Sequence, residues 1–303
     1  MEATGSLPAQ SPRSRRSGRL DGVRAFFSII RRNHRAFAGL LILIFFVLMA
    51  LVGPQLIYLD NTARYSQRLQ APSWAHPLGT DYAGRDTLAQ FVHGANDVIT
   101  LSIITAVFTV GIAFLVGGMA GVAGGSLNAV LMFITNVILT VPSFPIMMVL
   151  SMVVTITDPF SFAVVLSIWS WAGLARAIRS QILSLKNREF IEASRILGLG
   201  LPHIVFREML PNMASYVAYH FIMIMRNAVT ASVGLMVLGL VPFSATHWGM
   251  MLNLAMTSTG AVYGSSALIY FVTPIMGIMF FQMGCLFFAS GMEEAFNPRL
   301  RTQ

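Results

Sequence analysis

The sequence contains little charge and almost no cysteine. Charged residues make up 11% of the 303 residues and hydrophobic residues 55%, whereas charged residues are roughly a quarter of an ordinary soluble domain. The single cysteine, Cys285, excludes an intrachain disulfide. With a mean hydropathy of +0.70, this composition indicates an integral membrane protein.

Motifs of enzymes and of metal sites are also missing. No phosphate loop of the G-x-x-x-x-G-K-[ST] type is present, since the one lysine, Lys186, follows the letters ILSL. H-E-x-x-H and G-x-S-x-G are absent, and His220 and His247 have no second ligand at metal spacing. The sequence therefore predicts no catalytic residue, no metal site and no cofactor bound by this chain.

Six apolar runs reach the ~20 residues that a helix needs to cross a bilayer. They cover residues 36–57, 98–122, 128–154, 160–180, 214–240 and 266–291. Because a backbone in lipid has to satisfy its own hydrogen bonds, the runs predict an all-α protein with six transmembrane helices. Pro142 and Pro145 predict a kink in the third helix. Gly117, Gly121 and Gly125 form two GxxxG pairs, which favour close helix packing and a tight turn.

The apolar runs divide the chain into five parts. Residues 1–35 form a basic tail rich in Ser, Pro and Arg that is predicted to be disordered. Residues 36–57 form the first transmembrane helix, and residues 58–97 an extracytoplasmic segment. Residues 98–291 form a core of five helices, and residues 292–303 a short C-terminal tail.

The end of the extracytoplasmic segment has a helical pattern of its own. Apolar residues recur from Leu88 to Ala95 at helical spacing. Thr87 and Gln90 are spaced as a capping box. We expect a short interfacial helix here, lying on the membrane surface before the second span.

The distribution of Lys and Arg predicts the orientation. Sixteen of the twenty lie in residues 1–35, 176–212 and 292–303, and only Arg64, Arg68 and Arg85 lie in the opposite loops. The positive-inside rule places both termini and the basic segment 176–212 in the cytoplasm. The basic charges are scattered among loops without a recognisable binding module, so the net charge of +8 indicates contact with anionic lipid and no nucleic-acid partner.

Residues 190–212, FIEASRILGLGLPHIVFREMLPN, form a polar stretch between two apolar runs. Gly198 stands where a helix end favours positive φ, and Pro202 suits the first turn of a second helix that ends near Pro211. The pattern predicts a helix–turn–helix on the cytoplasmic face, with apolar side chains among charges. Such a surface is typical of a contact with a partner protein. A plain solvated connection between spans needs no turn chemistry of this kind.

The letters EASRILG with LPN downstream resemble the EAA loop of permease subunits in binding-protein-dependent ABC importers. The segments HPLGTDYAGRDTL (76–88), WGMML (248–252) and NPRLR (297–301) are similar to the second membrane subunit of the oligopeptide and dipeptide branch. The resemblance covers about residues 25–301, and Ser194 replaces the second alanine of the motif.

The resemblance implies a type I importer permease fold in the cell membrane of a prokaryote, with residues 181–213 as the EAA loop. The loop residues expected to dock on an ATPase are Phe190, Glu192, Ala193, Ser194, Gly198, Leu210 and Pro211. The implied partners are a second homologous permease, two cytoplasmic ATPase subunits that bind ATP and Mg, and an extracytoplasmic substrate-binding protein. The chain itself is then a non-catalytic half of a translocation pathway, in which movement of the loop switches the cavity between its two openings.

Arg226 and Asn227 are the candidate pathway residues. Arg226 falls near the middle of the fifth run, where an arginine is costly and faces a cavity or a partner. A substrate contact and a structural pair or a snorkelling side chain are both open for Arg226. Asn227 shares this ambiguity.

Two alternatives concern the cargo and the class of transporter. The peptide branch often has a glutamate in the fifth span where this chain has Ser232, so an oligosaccharide is the alternative to an oligopeptide. A self-sufficient channel or secondary carrier is the alternative from another class, although it gives no reason for the 188–211 segment.

Overall fold

The computed structural model describes residues 30–31, 33–260 and 267–296. The helices are α1 His34–Leu56, α2 Thr87–Ala123, α3 Gly125–Thr140, α4 Ser143–Val153, α5 Pro159–Leu185, α6 Glu189–Ile196, α7 Leu210–Val237, α8 Trp248–Thr259 and α9 Leu268–Phe296. Short helical turns lie at Tyr65–Gln67, Leu201–His203 and Ile204–Met209. Within the described ranges the one β pairing is an isolated bridge between Thr80 and Asp86. The prediction of an all-α protein is confirmed, while most of the basic tail and the NPRLR ending lie outside the described residues.

Within the described residues, five helices are long and apolar enough to cross a membrane, and the pair α3 and α4 makes a sixth span if its two halves are counted together. The two halves meet at an angle of 89°. Pro142 is the N-cap of α4, and a proline has no N–H to continue the hydrogen bonds of α3. The kink predicted at this position is therefore a complete break between two helices.

The predicted interfacial helix is wrong, because its residues are the first turns of the continuous helix α2. Its N-cap is Asp86, whose Oδ1 accepts a hydrogen bond from Ala89 N at 2.8 Å, and not the predicted capping box. Ala89, Val92 and Ala95 are all buried. In addition, the Trp248 indole N–H donates to the Phe91 carbonyl oxygen at 3.0 Å. These turns are covered by protein, so the apolar spacing reflects packing and not a membrane surface.

The predicted helix end near Pro211 is also wrong. Pro211 lies in the first turn of α7, where the missing N–H has no partner to lose. The helical turns Leu201–His203 and Ile204–Met209 run directly into α7. The fifth span and the second half of the EAA loop are therefore one helical body.

Small residues bring the long helices together. A Cβ on Gly117 would lie against the carbonyl group of Ala175 in α5, and one on Gly121 would lie 2.8 Å from Ile182. Gly124 and Gly125, with φ of 66° and 54°, make the turn into α3. The GxxxG prediction of close packing followed by a tight turn is confirmed.

Helix α8 was not predicted. The His247 side chain caps it by accepting a hydrogen bond from Gly249 N at 3.1 Å. Gly260 ends it at φ 61°. Trp248 is fully buried and stacks on Phe91 of α2, with ring centroids 5.1 Å apart. Helix α8 thereby ties the chain between α7 and α9 to the start of α2.

Candidate functional site

The EAA loop forms the helix–turn–helix that the sequence predicts. Helix α6 is followed by Gly198 at φ 70°, and a helical turn resumes at Leu201. A Cβ at position 198 would meet no atom within 4 Å, so the glycine is required by its backbone angle and not by crowding. The Leu199 amide donates to the Ser194 carbonyl oxygen at 3.1 Å, which closes the end of α6.

The EAA loop has one face packed on the protein. Ile191, Ile204 and Met209 are buried in the hydrophobic core. Ser194 is also buried, and its hydroxyl donates to the Phe190 carbonyl oxygen at 3.0 Å. The serine that replaces the second alanine of the motif therefore has its polar atom satisfied within α6, and it is not part of an exposed contact surface.

The other face of the EAA loop is exposed and apolar. Ile196 is 82% exposed, Leu197 75%, Phe206 59% and Phe190 38%. Glu192 and Ala193 are exposed as well. This face, defined by Phe190, Ile196, Leu197 and Phe206, is called the apolar loop face below. An exposed set of large apolar side chains rimmed by charge is typical of a protein contact.

Leu210 and Pro211 lie in the first turn of α7 and not on α6. Leu210 lines an apolar groove of about 480 Å³ between α7 and α9, together with Phe288 and Met292. A second, more polar depression of about 700 Å³ lies beside α6, and its walls include Arg188, Phe190 and Asn212. The predicted docking residues are thus divided between the exposed face of α6 and the base of α7.

The two candidate pathway residues differ in their surroundings. Asn227 is exposed in a cavity of about 630 Å³ whose walls come from α2, α3, α4, α5 and α7. Arg226 is half-buried on the side of α7 towards α9, and its Nε is buried without a hydrogen-bond partner among the described residues. Beside it, Gln282 of α9 donates to the Thr230 hydroxyl at 2.7 Å, and that hydroxyl donates to the Arg226 carbonyl oxygen at 3.2 Å.

Helix α7 differs from the other long helices in what it exposes. In the fully described stretch between Phe206 and Leu238, no large hydrophobic side chain is exposed, whereas α1 exposes Phe45 and α9 exposes Phe280. The uncovered side of α7 has polar and aromatic residues at helical spacing. They are Tyr216, Tyr219, His220, Arg226, Asn227 and Thr230, here called the polar face of α7.

The sequence analysis predicted two of the six residues of this polar face, Arg226 and Asn227, and missed the other four. His220 packs between two tyrosine rings, with centroids 4.5 Å from Tyr216 and 5.2 Å from Tyr219. The signal was present as polar residues recurring every three or four positions through an apolar run. A search for metal ligands does not detect this pattern. Within the ranges that the structure describes, no group of three or more His, Cys, Asp or Glu could hold a metal ion.

The segment GTDYAGRD builds a buried turn before α2. Asp81 is fully buried, and its Oδ1 accepts the amides of Ala83 and Arg85, each at 2.8 Å. Its Oδ2 accepts from Arg85 Nε at 2.8 Å and from Gln90 Nε2 at 3.0 Å. Burial disfavours the charge on Arg85, but the hydrogen bond and ion pair with Asp81 raise the pKa of Arg85 overall. This motif therefore has an evident structural role.

Two protein-family models match this chain. Residues 113–302 match the binding-protein-dependent transport system inner membrane component, and residues 24–72 match the N-terminal transmembrane domain of oligopeptide transport permease C. The oligopeptide transport system permease protein OppC of Bacillus subtilis is 30% identical over 277 residues, covering 89% of this chain and 88% of that protein.

Two further relatives have similar coverage. The dipeptide transport system permease protein DppC of Bacillus subtilis is 29% identical over 277 residues, covering 90% of this chain and 84% of that protein. A protein of Brucella suis with a provisional name as a peptide permease is 31% identical over 277 residues, covering 88% of each chain. The family resemblance and the type I permease fold predicted from the sequence are confirmed. This chain belongs to the binding-protein-dependent transport system inner membrane components, as a multi-pass permease of an ABC transporter.

Proposed function

We propose that this permease forms half of the translocation pathway of an importer for oligopeptides and is driven by separate ATPase subunits. The observation that carries the proposal is the polar face of α7. A membrane helix that exposes Asn227 and Thr230 to lipid would be unfavourable, so this side of α7 faces a water-filled pathway or another protein. The named relatives transport oligopeptides and dipeptides, which supports peptide as the cargo.

The apolar loop face is the proposed docking site for an ATPase. Its side chains are exposed on α6 and on the turn Ile204–Met209, and these two elements are packed on the core through the buried Ile191 and Ile204. The sequence contains no phosphate loop of its own. We therefore assign ATP and Mg binding to the partner ATPases and a non-catalytic role to this chain.

The EAA loop is positioned to transmit movement into the membrane. α5 ends at Leu185, only a few residues before α6, and the helical turns after Gly198 continue into α7. A displacement of α6 by an ATPase therefore moves the ends of both α5 and α7. These two helices line the cavity that contains Asn227, so the displacement changes the shape of the cavity.

The remaining proposed partners are a second permease and a substrate-binding protein. We assign the polar face of α7 to contact with a second permease across a shared pathway. We assign delivery of the cargo to a substrate-binding protein on the side of residues 58–86, with both termini in the cytoplasm. Ser232, the residue that suggested an oligosaccharide as the alternative cargo, is fully buried and its hydroxyl donates to the Val229 carbonyl oxygen at 3.0 Å. This residue therefore does not itself favour a sugar over a peptide.

Co-purification from the native host tests this function. We expect the tagged chain to bring down a second permease and one or two ATPase chains, identified by mass spectrometry. Leu197→Asp should abolish recovery of the ATPases, because it places a charge on the apolar loop face, while the second permease stays bound. Tyr58→Asp adds the same charge at an exposed position of the outer segment and should change nothing.

Two results would count against the proposal. If Leu197→Asp retains the ATPases in full, the apolar loop face is not their docking site. If the wild-type chain purifies alone and transports in liposomes without ATP, it acts as a channel or a secondary carrier.

A further inference from the structure

We propose that Arg226 binds the C-terminal carboxylate of the peptide as it passes through the membrane. This inference rests on the proposed function and names the chemical group that this half of the pathway recognises. It concerns a side chain near the middle of α7, on the polar face of that helix.

Arg226 has no counter-charge within its own part of the chain. The sequence has no Asp or Glu between Glu208 and Glu293, a stretch that contains all of α7 and most of α9. Among the described residues, the Arg226 guanidinium makes no ion pair and no hydrogen bond, and its Nε is buried. A lone arginine at membrane depth is costly. We therefore infer that the compensating negative charge comes from outside this chain.

The groups beside Arg226 are neutral, so none of them competes with an incoming anion for the guanidinium. Thr230 and Gln282 hold each other and the Arg226 backbone through the two hydrogen bonds described above. Asn227, the next residue, lines the separate cavity described above, and its side-chain amide is exposed there. The Arg226 site consists of one positive charge beside neutral hydrogen-bonding groups, and it would attract a negatively charged group from an aqueous pathway.

A peptide carboxylate fits this site better than other anions. The planar guanidinium of arginine can form two parallel hydrogen bonds with a carboxylate. Every peptide with a free C-terminus has this group regardless of its side chains, so one arginine can serve a varied set of peptides. The partly exposed position of Arg226 suits a site that must also release its ligand.

The test is a comparison of free-acid and C-terminally amidated forms of one tripeptide. Uptake is measured with the full importer in liposomes, containing binding protein and ATPases, for wild type, Arg226→Gln and Arg226→Lys. Any preference of the binding protein is common to all three and cancels in the ratio of variant to wild type. We expect Arg226→Gln to reduce uptake of the free acid at least about tenfold and of the amide less than about twofold, as for loss of a charged hydrogen bond. Arg226→Lys should keep part of the preference, because it retains the charge and loses the planar fork.

A second measurement does not depend on delivery by the binding protein. Binding of the two peptides to the solubilised permease–ATPase complex is titrated without it. We expect the free acid to lose at least about tenfold in affinity in Arg226→Gln and the amide to be unchanged. The control is Arg31→Gln, which removes an exposed arginine before α1 and should leave both peptides unaffected.

The possible outcomes are distinct. Equal effects of Arg226→Gln on both peptides, or no difference between the two in binding to wild type, overturn the proposal. Equal effects are also expected if a carboxylate of the second permease pairs with Arg226. Absence of uptake of either peptide by the wild-type importer would instead refute the proposed function.

Discussion

His247 shows how one buried residue can link the folded state to pH. Its ring is completely buried, Nδ1 accepts the Gly249 amide, and Nε2 has no partner among the described residues. Burial disfavours the imidazolium and lowers the pKa of His247 to about 3 from an ordinary value of 6.5. The folded protein therefore holds this histidine neutral as the N-cap of α8.

We expect acid to destabilise the protein through His247. Below pH 6.5 His247 is protonated in the unfolded chain but stays neutral in the folded chain. The free energy of unfolding therefore falls by up to about 1.4 kcal/mol per pH unit towards pH 3. The measurement is thermal unfolding in detergent from pH 7 downwards. His247→Asn keeps a capping oxygen and cannot be protonated. Equal pH dependence of wild type and His247→Asn would contradict this account.

Gly198 and Ser194 differ in how far the sequence predicts their role. Positive φ at Gly198 follows from its place after α6, and the structure confirms it. The burial of Ser194 does not follow from the motif, because it depends on which side of α6 is covered by the core. A backbone requirement is local, whereas burial depends on distant parts of the chain.

At the scale of elements, the contact of α2 with α5 depends on small residues. Gly117 lets α2 approach the backbone of α5 at Ala175. In a bilayer the lipid acyl chains are as apolar as the side chains, so burying apolar surface between helices gives little net gain. Helices there associate largely through such close packing. This contact also positions α5, which contributes to the wall of the cavity at Asn227.

We therefore expect Gly117→Ala to destabilise the protein, because the added methyl group would meet the Ala175 backbone. The expected loss is about 1–3 kcal/mol, as for an overpacked core, measured by thermal unfolding in detergent. Gly111→Ala in the same helix is the matched control. No atom lies within 4 Å of its added methyl group, so this change should be neutral or should stabilise by up to about 1 kcal/mol. Equal effects of the two changes would show that this contact is not tight.

At the scale of the whole molecule, the loops divide into two groups. One group contains the turn after α2 and the end of α5, where Lys186 Nζ donates to the Val122 carbonyl oxygen at 3.2 Å and Arg179 Nε to Asn128 Oδ1 at 2.5 Å. The other contains residues 58–86 and the chain after α7, where the Arg68 guanidinium donates to the Ser258 carbonyl oxygen at 3.2 Å. The EAA loop belongs to the first group, which is also the more basic one.

We expect the two groups to lie on opposite sides of the membrane. In a Cys285→Ala background, which removes the one native cysteine, Trp74→Cys should react with an impermeant thiol reagent added to intact cells or spheroplasts. Leu197→Cys should react only in inverted vesicles, prepared from cells that lack the ATPase subunits so that the apolar loop face is uncovered. Both positions are strongly exposed in the chain itself, so access to the side chain is not limiting. The reverse labelling pattern would contradict the proposed orientation.

The sequence by itself determined the class of protein, the six apolar runs, the glycine turn of the EAA loop and the family. These features depend on local composition and spacing, because a span needs only enough apolar length and a turn only the right backbone freedom.

Only the tertiary structure decided the break at Pro142, the continuity of α2 and the side of α7 that remains uncovered. Each depends on which neighbours bury which face: Phe91 is fixed by Trp248 of α8, and Arg226 lies beside α9 and not on the wall of the cavity with Asn227. Apolar spacing looks the same whether lipid or protein covers a helix. Contacts between distant parts of the chain therefore decide which polar residues are left facing outward.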